Sequence, residues 1–181
     1  GRDWVSCYGA EHQTPNIDQL ANQGVLYQTA WCTPICTPTR VTLLTGQYPF
    51  HHGWVQHYDV PRWGGAGLRA DRFITFARLL RESGYATAIG GKWQINHLGQ
   101  DPEILKKHGF DEHCVWPGVE EGKPETVERF WNGLLLTNGK RNKVPYGPDT
   151  INDFLIDYIK RHKDDPLVAQ VISTLISLPN R

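Results

Sequence analysis

The segment from Phe73 to Lys92 restricts the fold more than any other part of the chain. Phe73, Phe76, Ala77 and Leu80 fall at i, i+3, i+4 and i+7, one face of a helix. Gly84 interrupts that pattern, and Tyr85-Ala86-Thr87-Ala88-Ile89 follows as a compact run of strand length and composition. A helix that passes through a glycine stop into a short apolar strand is the repeating step of a layered α/β fold. Other segments agree with it. Thr14 to Ala21 reads as a helix start, with Thr14 as N-cap, Pro15 at the first helical position and Gly24 placed to end it. Val25 to Trp31 carries the β-branched and aromatic residues of a strand. Thr39 to Thr45, opened by Pro38 and closed by Gly46, is a short helix, and Thr150 to His162 sets Ile151, Phe154, Leu155, Tyr158 and Ile159 on one stripe. The expected architecture is a mainly parallel central sheet flanked by helices. Ligands of such sheets sit outside the carboxyl ends of the strands, which makes the turns after Trp31 and after Ile89 the places to look for a site.

Composition narrows the classes of function. The 19 Lys and Arg balance 19 Asp and Glu, so no overall basic field gathers nucleic acid or an anionic membrane. No apolar run approaches the ~20 residues of a membrane span. Four cysteines (Cys7, Cys32, Cys36 and Cys114) are too few for a disulfide-built miniprotein. The length of 181 residues fits one domain or part of a larger one. Gly1-Arg2-Asp3-Trp4 lacks the features of a signal peptide, and the absence of Met sets the expected true start upstream.

Cys36 is the first candidate for chemistry. Cys36-Thr37-Pro38-Thr39-Arg40 sets a thiol at the mouth of the helix begun by Pro38, where free N–H groups and the positive helix end favour an anion. Arg40, about one turn on, can fork onto an oxyanion. A buried structural thiol on a Pro-punctuated turn is the competing reading. Cys32 and Cys36 with His51 and His52 could be drawn as a zinc site, but no second closely spaced Cys pair supports it. Trp54, Tyr58, Trp63 and Gly64-Gly65 could rim a sugar or aryl ring, or could be packing beneath a long loop. Lys140-Arg141-Asn142-Lys143 reads as a solvated basic turn.

The thirteen residues Pro34-Ile35-Cys36-Thr37-Pro38-Thr39-Arg40-Val41-Thr42-Leu43-Leu44-Thr45-Gly46 resemble the first signature of the sulfatase family. Thr14 to Ala21 resembles the family's TPNIDxLA helix, Gly46-Gln47-Tyr48-Pro49 its GxYP turn, and Gly84 to Gln94 its second signature, all in the family's order. The resemblance spans Cys7 to about Lys163. It implies an alkaline-phosphatase-like fold and hydrolysis of sulfate monoesters. It also implies that a formylglycine-generating or sulfatase-maturating enzyme oxidises Cys36 to Cα-formylglycine, whose hydrate sits on a divalent cation, usually Ca²⁺. One hydroxyl of the hydrate attacks sulfur and the alcohol leaves; the second then loses its proton and expels sulfate. Arg40 would hold the hydrate, and Lys92 would contact sulfate oxygens. A phosphonate or phosphate ester hydrolase of the same superfamily shares the Cys-x-Pro-x-Arg motif and is the alternative enzyme.

Two positions depart from the second signature. Gly90 stands where a small apolar residue or Ser is usual, and Gln94 where many members have His. An amide donates a hydrogen bond but cannot shuttle a proton near neutrality, so Gln94 and His97, three residues on, are both carried as substrate-binding candidates. Of the metal ligands the resemblance implies, only Cys36, as formylglycine, is expected in this chain, where a hard cation needs about six oxygens. Residues 1–166 are expected to be part of a sulfatase catalytic domain. Residues 167–181 resemble nothing in the family, and Leu167 to Ile176 shows the i, i+3, i+4 apolar spacing of a helix; truncation or a shifted frame, which would leave the chain as a non-catalytic product, and ordinary divergence are the alternative explanations. Family members suggest an exported protein, periplasmic or extracellular.

Overall fold

In the computed structural model the described residues are 2–55, 67–117 and 130–172. The chain divides into two compact units, Gly1–Cys32 and Thr33–Arg181. In the first, two 3-10 turns (Arg2–Trp4 and Ser6–Tyr8) precede helix α1, Pro15–Gln23. Thr14 occupies the N-cap position, yet its side chain caps no helical N–H. Its hydroxyl is drawn instead to Asp18 (3.2 Å) and to Ser6, whose own hydroxyl accepts from the Thr14 N–H at 2.7 Å. Residues 25–31, expected as a strand, form none. Val25, Tyr27 and Trp31 are all exposed, so no buried face selects an extended pairing there.

The second unit is built on a five-stranded sheet of order β4-β3-β2-β1-β5. The strands are β1 Ala86–Lys92, β2 Glu112–Trp116, β3 Leu134–Thr137, β4 Lys140–Lys143 and β5 Leu167–Ile172. The layered α/β class is as expected, and the sheet is mixed. β1 pairs in parallel with β2 and with β5, whereas β2–β3 and β3–β4 are antiparallel. β1 continues three residues beyond the expected Ile89, so Gly90, Gly91 and Lys92 lie within the strand. Lys140–Lys143, expected as a turn, is the edge strand β4, fully exposed and held by its ladder to β3. Residues 167–172, whose spacing suggested a helix, instead add to the free edge of β1.

Helices cover the sheet. They are α2 Cys36–Thr45, α3 Pro49–His52, α4 Phe76–Glu82, α5 Ile104–Lys107 and α6 Gly147–Arg161. Strand alternation sends Ile89 toward a core that includes Val41, Leu44, Ala77, Trp93, Ile95, Leu105 and Phe110. Ala88 lies on the other side, with Cys114, Leu135, Ile151, Leu155 and Tyr158. A Cβ on Gly90 would stand 2.7 Å from Leu155 Cδ1 and 2.8 Å from Ile151 Cγ2, so the glycine lets α6 lie directly on β1. Ile159, assigned to the apolar stripe of α6, is 44% exposed, and the stripe closes with Ile151, Leu155 and Tyr158. Among the described residues no helix is long and apolar enough to cross a membrane.

Candidate active site

Helix α2 begins two residues earlier than the expected Pro38, with Cys36 in its first turn and Ile35 as N-cap in an extended conformation. Thr33 and Thr39 brace this entry: their hydroxyls meet at 2.5 Å, one donating to the other, and both lie within hydrogen-bond reach of the Ile35 carbonyl, at 2.9 and 3.1 Å. Gly46, at φ 66°, ends the helix in the left-handed conformation that glycine tolerates best. The N-terminal N–H groups of α2 therefore open beside the half-buried Cys36 side chain.

The carboxyl end of β1 comes to the same place. Lys92, only 4% exposed, brings Nζ to 3.7 Å from Cys36 Sγ, and the thiol donates to Gln94 Oε1 at 3.3 Å. Arg40, one turn into α2, donates from its guanidinium to the Lys92 carbonyl at 2.5 Å. Its buried Nε has no hydrogen-bond partner. Burial pushes the Arg40 guanidinium below its ordinary range, and the neighbouring Cys36 opposes the shift. A guanidinium keeps its proton in either case. Gln94 has φ 56°, a left-handed value uncommon outside glycine, and is flanked by the buried anchors Trp93 and Ile95.

The structure thus brings together Cys36, Arg40, Lys92 and Gln94. His97 is 9% exposed and stands in the wall of a cleft of about 390 Å³ with Leu68, Asn96, Ile104 and Lys107. His52, considered above as a zinc ligand, is committed elsewhere: Nδ1 accepts from the Trp54 N–H (3.0 Å), and Nε2 meets the Thr42 hydroxyl (3.1 Å). Tyr58, Trp63 and Gly64-Gly65 lie outside the described residues. Sequence reasoning missed Asn96 and His108, which lock the backbone behind Gln94, because their partner is the main-chain carbonyl of Leu68 and carbonyls carry no sequence signal.

Two cations, a helix N-terminus and an amide around a thiol suit an anion. They do not suit a hard cation, which needs several oxygen ligands. Among the described residues no group of three His, Cys, Asp or Glu side chains is placed to hold a metal ion. Fold and site together define a layered α/β protein that sets a sulfur side chain in the first turn of a helix, beside the basic side chains of Arg40 and Lys92.

The chain belongs to the sulfatase family, whose model, described as Sulfatase, matches residues 1–176. It is 44% identical over 138 residues to human Arylsulfatase D, an alignment that takes in 68% of this chain and 23% of that protein. It is 43% identical over 138 residues to human Steryl-sulfatase, covering 73% of this chain and 21% of the relative. Among solved structures, Ps i-CgsB in complex with k-i-k-neocarrahexaose superposes with a TM-score of 0.77 at 25% identity, over 96% of this chain and 42% of that one. The chain therefore spans less than a quarter of the length of these curated relatives.

Proposed function

We propose that the protein of which this chain carries a part hydrolyses sulfate monoesters, with Cys36 as the precursor of the nucleophile and Arg40 and Lys92 in the sulfate site. One observation carries the reading: Lys92 Nζ, arriving from a strand 56 residues away in sequence, stands 3.7 Å from a cysteine sulfur in the first turn of α2. A structural thiol has no use for an ammonium group, whereas a sulfuryl group in transfer needs its oxygens neutralised.

Conversion of Cys36 to Cα-formylglycine by a maturating enzyme belongs to this reading, and the site fits the group, since its polar neighbours can serve a hydroxyl as they serve the thiol. Once formed, the aldehyde hydrate supplies an oxygen nucleophile and a second hydroxyl whose proton loss releases sulfate. Lys92 binds and orients the ester oxygens. Arg40, through the Lys92 carbonyl, ties α2 to β1 and keeps cation and nucleophile in register. Gln94 holds a proton on residue 36 without transferring it, because an amide does not ionise near neutrality. A divalent cation, with Ca²⁺ expected, completes the reading; apart from residue 36 the described side chains offer it no cage. Export, periplasmic or extracellular, is proposed on family membership. The relatives' names span aryl and steryl sulfates, and the solved neighbour carries a neocarrahexaose.

Mass spectrometry of the Cys36 peptide, from the full-length protein made alongside a formylglycine-generating enzyme, should reveal an aldehyde that captures a hydrazide. A peptide that keeps its thiol would remove the mechanism. Cys36→Ala should abolish turnover of an aryl sulfate while leaving the circular dichroism spectrum unchanged. Faster cleavage of an aryl phosphate diester than of the matching sulfate would instead select the phosphate or phosphonate ester hydrolase.

A further inference from the structure

We propose that His108 is a positioning residue for the Cys36 site, a neutral imidazole that latches the segment carrying Lys92 and Gln94 and releases it on protonation. His108 is fully buried, with Nε2 3.1 Å from the Leu68 carbonyl oxygen. A carbonyl can only accept, so Nε2 carries the hydrogen and Nδ1 is the bare nitrogen; Nδ1 is buried and has no hydrogen-bond partner. The same Leu68 carbonyl accepts from Asn96 Nδ2 at 2.9 Å, and the Leu68 N–H donates to the Ile95 carbonyl at 3.0 Å. Leu68 thereby joins the imidazole to the two residues that follow Gln94. On the other side the ring lies 5.6 Å from the Trp93 ring, between Lys92 and Gln94 in sequence. His108 is itself fixed by the Thr75 hydroxyl, which donates to its carbonyl at 2.5 Å.

A proton on Nδ1 would put a charge where no acceptor stands. The charged groups that act on the ring are Arg78 of α4, which opposes protonation, and Asp101 before α5, which favours it but already pairs with Lys107 at 2.6 Å. Burial, with Arg78 adding to it, holds the imidazole below the ordinary histidine range. The Nε2–H bond to Leu68 survives protonation, so the cost of acid is the uncompensated charge on buried Nδ1: proton binding disfavours docking of the 93–97 segment, and acid shifts the latch toward its open state. The proposal concerns docking alone and does not depend on the reaction proposed above.

Hydrogen exchange of the 181-residue chain, read by mass spectrometry between pH 7.5 and 5.5 and corrected for intrinsic rates, tests it. Opening of peptides over 67–71 and 93–97 should rise by up to about tenfold per pH unit once the pH falls below ~6.5. His108→Gln keeps a donor in place of Nε2 and removes the basic nitrogen, so the same peptides should lose that rise while α3, which holds His52, behaves as in the parent. An equal rise in the variant, or none in the parent, overturns the proposal. Should the variant not fold, imidazole nitrogen spectra of the parent decide. They must show the Nε2–H tautomer at neutral pH and a His108 protonation midpoint that coincides with the loss of protection. A Nδ1–H tautomer, or a midpoint apart from that loss, refutes the latch.

Discussion

Arg40 shows how one side chain links chemistry to fold. Its guanidinium reaches across to the carbonyl of Lys92, so a residue chosen for its charge also sets the distance between α2 and the end of β1. Lysine could not replace it, because a single ammonium lacks the planar fork that serves a carbonyl and a neighbouring anion together. Gly90 plays the complementary part. Leu155 Cδ1 and Ile151 Cγ2 already fill the space a side chain would take. Gly90→Val should therefore destabilise the chain by about 1–3 kcal/mol in urea unfolding, through overpacking against α6. Leu155→Ala in the Gly90→Val background should recover part of that loss. An unchanged unfolding midpoint in Gly90→Val would mean that α6 does not rest on the strand. Cys36 and Arg40 stand out in the sequence itself, as a thiol and a guanidinium at the mouth of a Pro-opened helix, whereas Lys92 and Gln94 come from the resemblance to the sulfatase second signature; the structure brings the four together. The partner of Arg40 was not legible, because a main-chain carbonyl brought close by a crossover of 52 residues has no local trace.

The elements were read best where a hydrophobic period and a punctuating residue agree, as in α2 with Gly46, α4 with Gly84, and α6. They were misread where tertiary pairing overrides the pattern. β4 is Lys-Arg-Asn-Lys, with no apolar residue to mark it, and exists because β3 offers a ladder; its charges suit an edge that must not recruit further strands. β5 has apolar residues that fit a helix equally well, and the exposed edge of β1 decides between the two. The connection between α5 and β2 depends on close approach. Gly109 has φ 96°, and a Cβ there would collide with the backbone of Arg78 and Ala77 in α4. Gly109→Ala meets both a strained dihedral and main-chain atoms that cannot turn aside, unlike the side-chain ends around Gly90. Its loss of stability should reach or exceed the upper end of the usual range of about 0.5–3 kcal/mol for point substitutions. Chemical denaturation checks this, and a loss of only a few tenths would show that α4 and α5 separate without difficulty.

Across the molecule, three histidines report one electrostatic condition. His52 Nδ1 accepts the Trp54 N–H, His113 Nε2 accepts the Gly139 N–H at 3.2 Å, and His108 Nδ1 is buried without a partner. Each ring therefore presents an unprotonated nitrogen to protein, and desolvation holds all three below the usual histidine range. The sign follows from proton uptake. The unfolded chain protonates these imidazoles near pH 6.5, whereas the folded chain resists until lower pH, so their stabilisation is complete above about pH 6.5 and drains away as the pH falls toward the folded values. Each contributes at most about 1.4 kcal/mol per pH unit within that window. Glu112, held below the carboxylate range chiefly by its hydrogen bonds with Arg161, responds only in stronger acid, so the histidine limb stands apart from it. The free energy of urea unfolding should be level from pH 8 to 7 and decline from about pH 6.5 downward, the decline becoming shallower in His52→Gln and in His108→Gln. A level profile down to pH 5 would mean that the folded chain takes up these protons freely, and that neither the α2–α3 contact at His52 nor the Leu68 latch depends on a neutral ring.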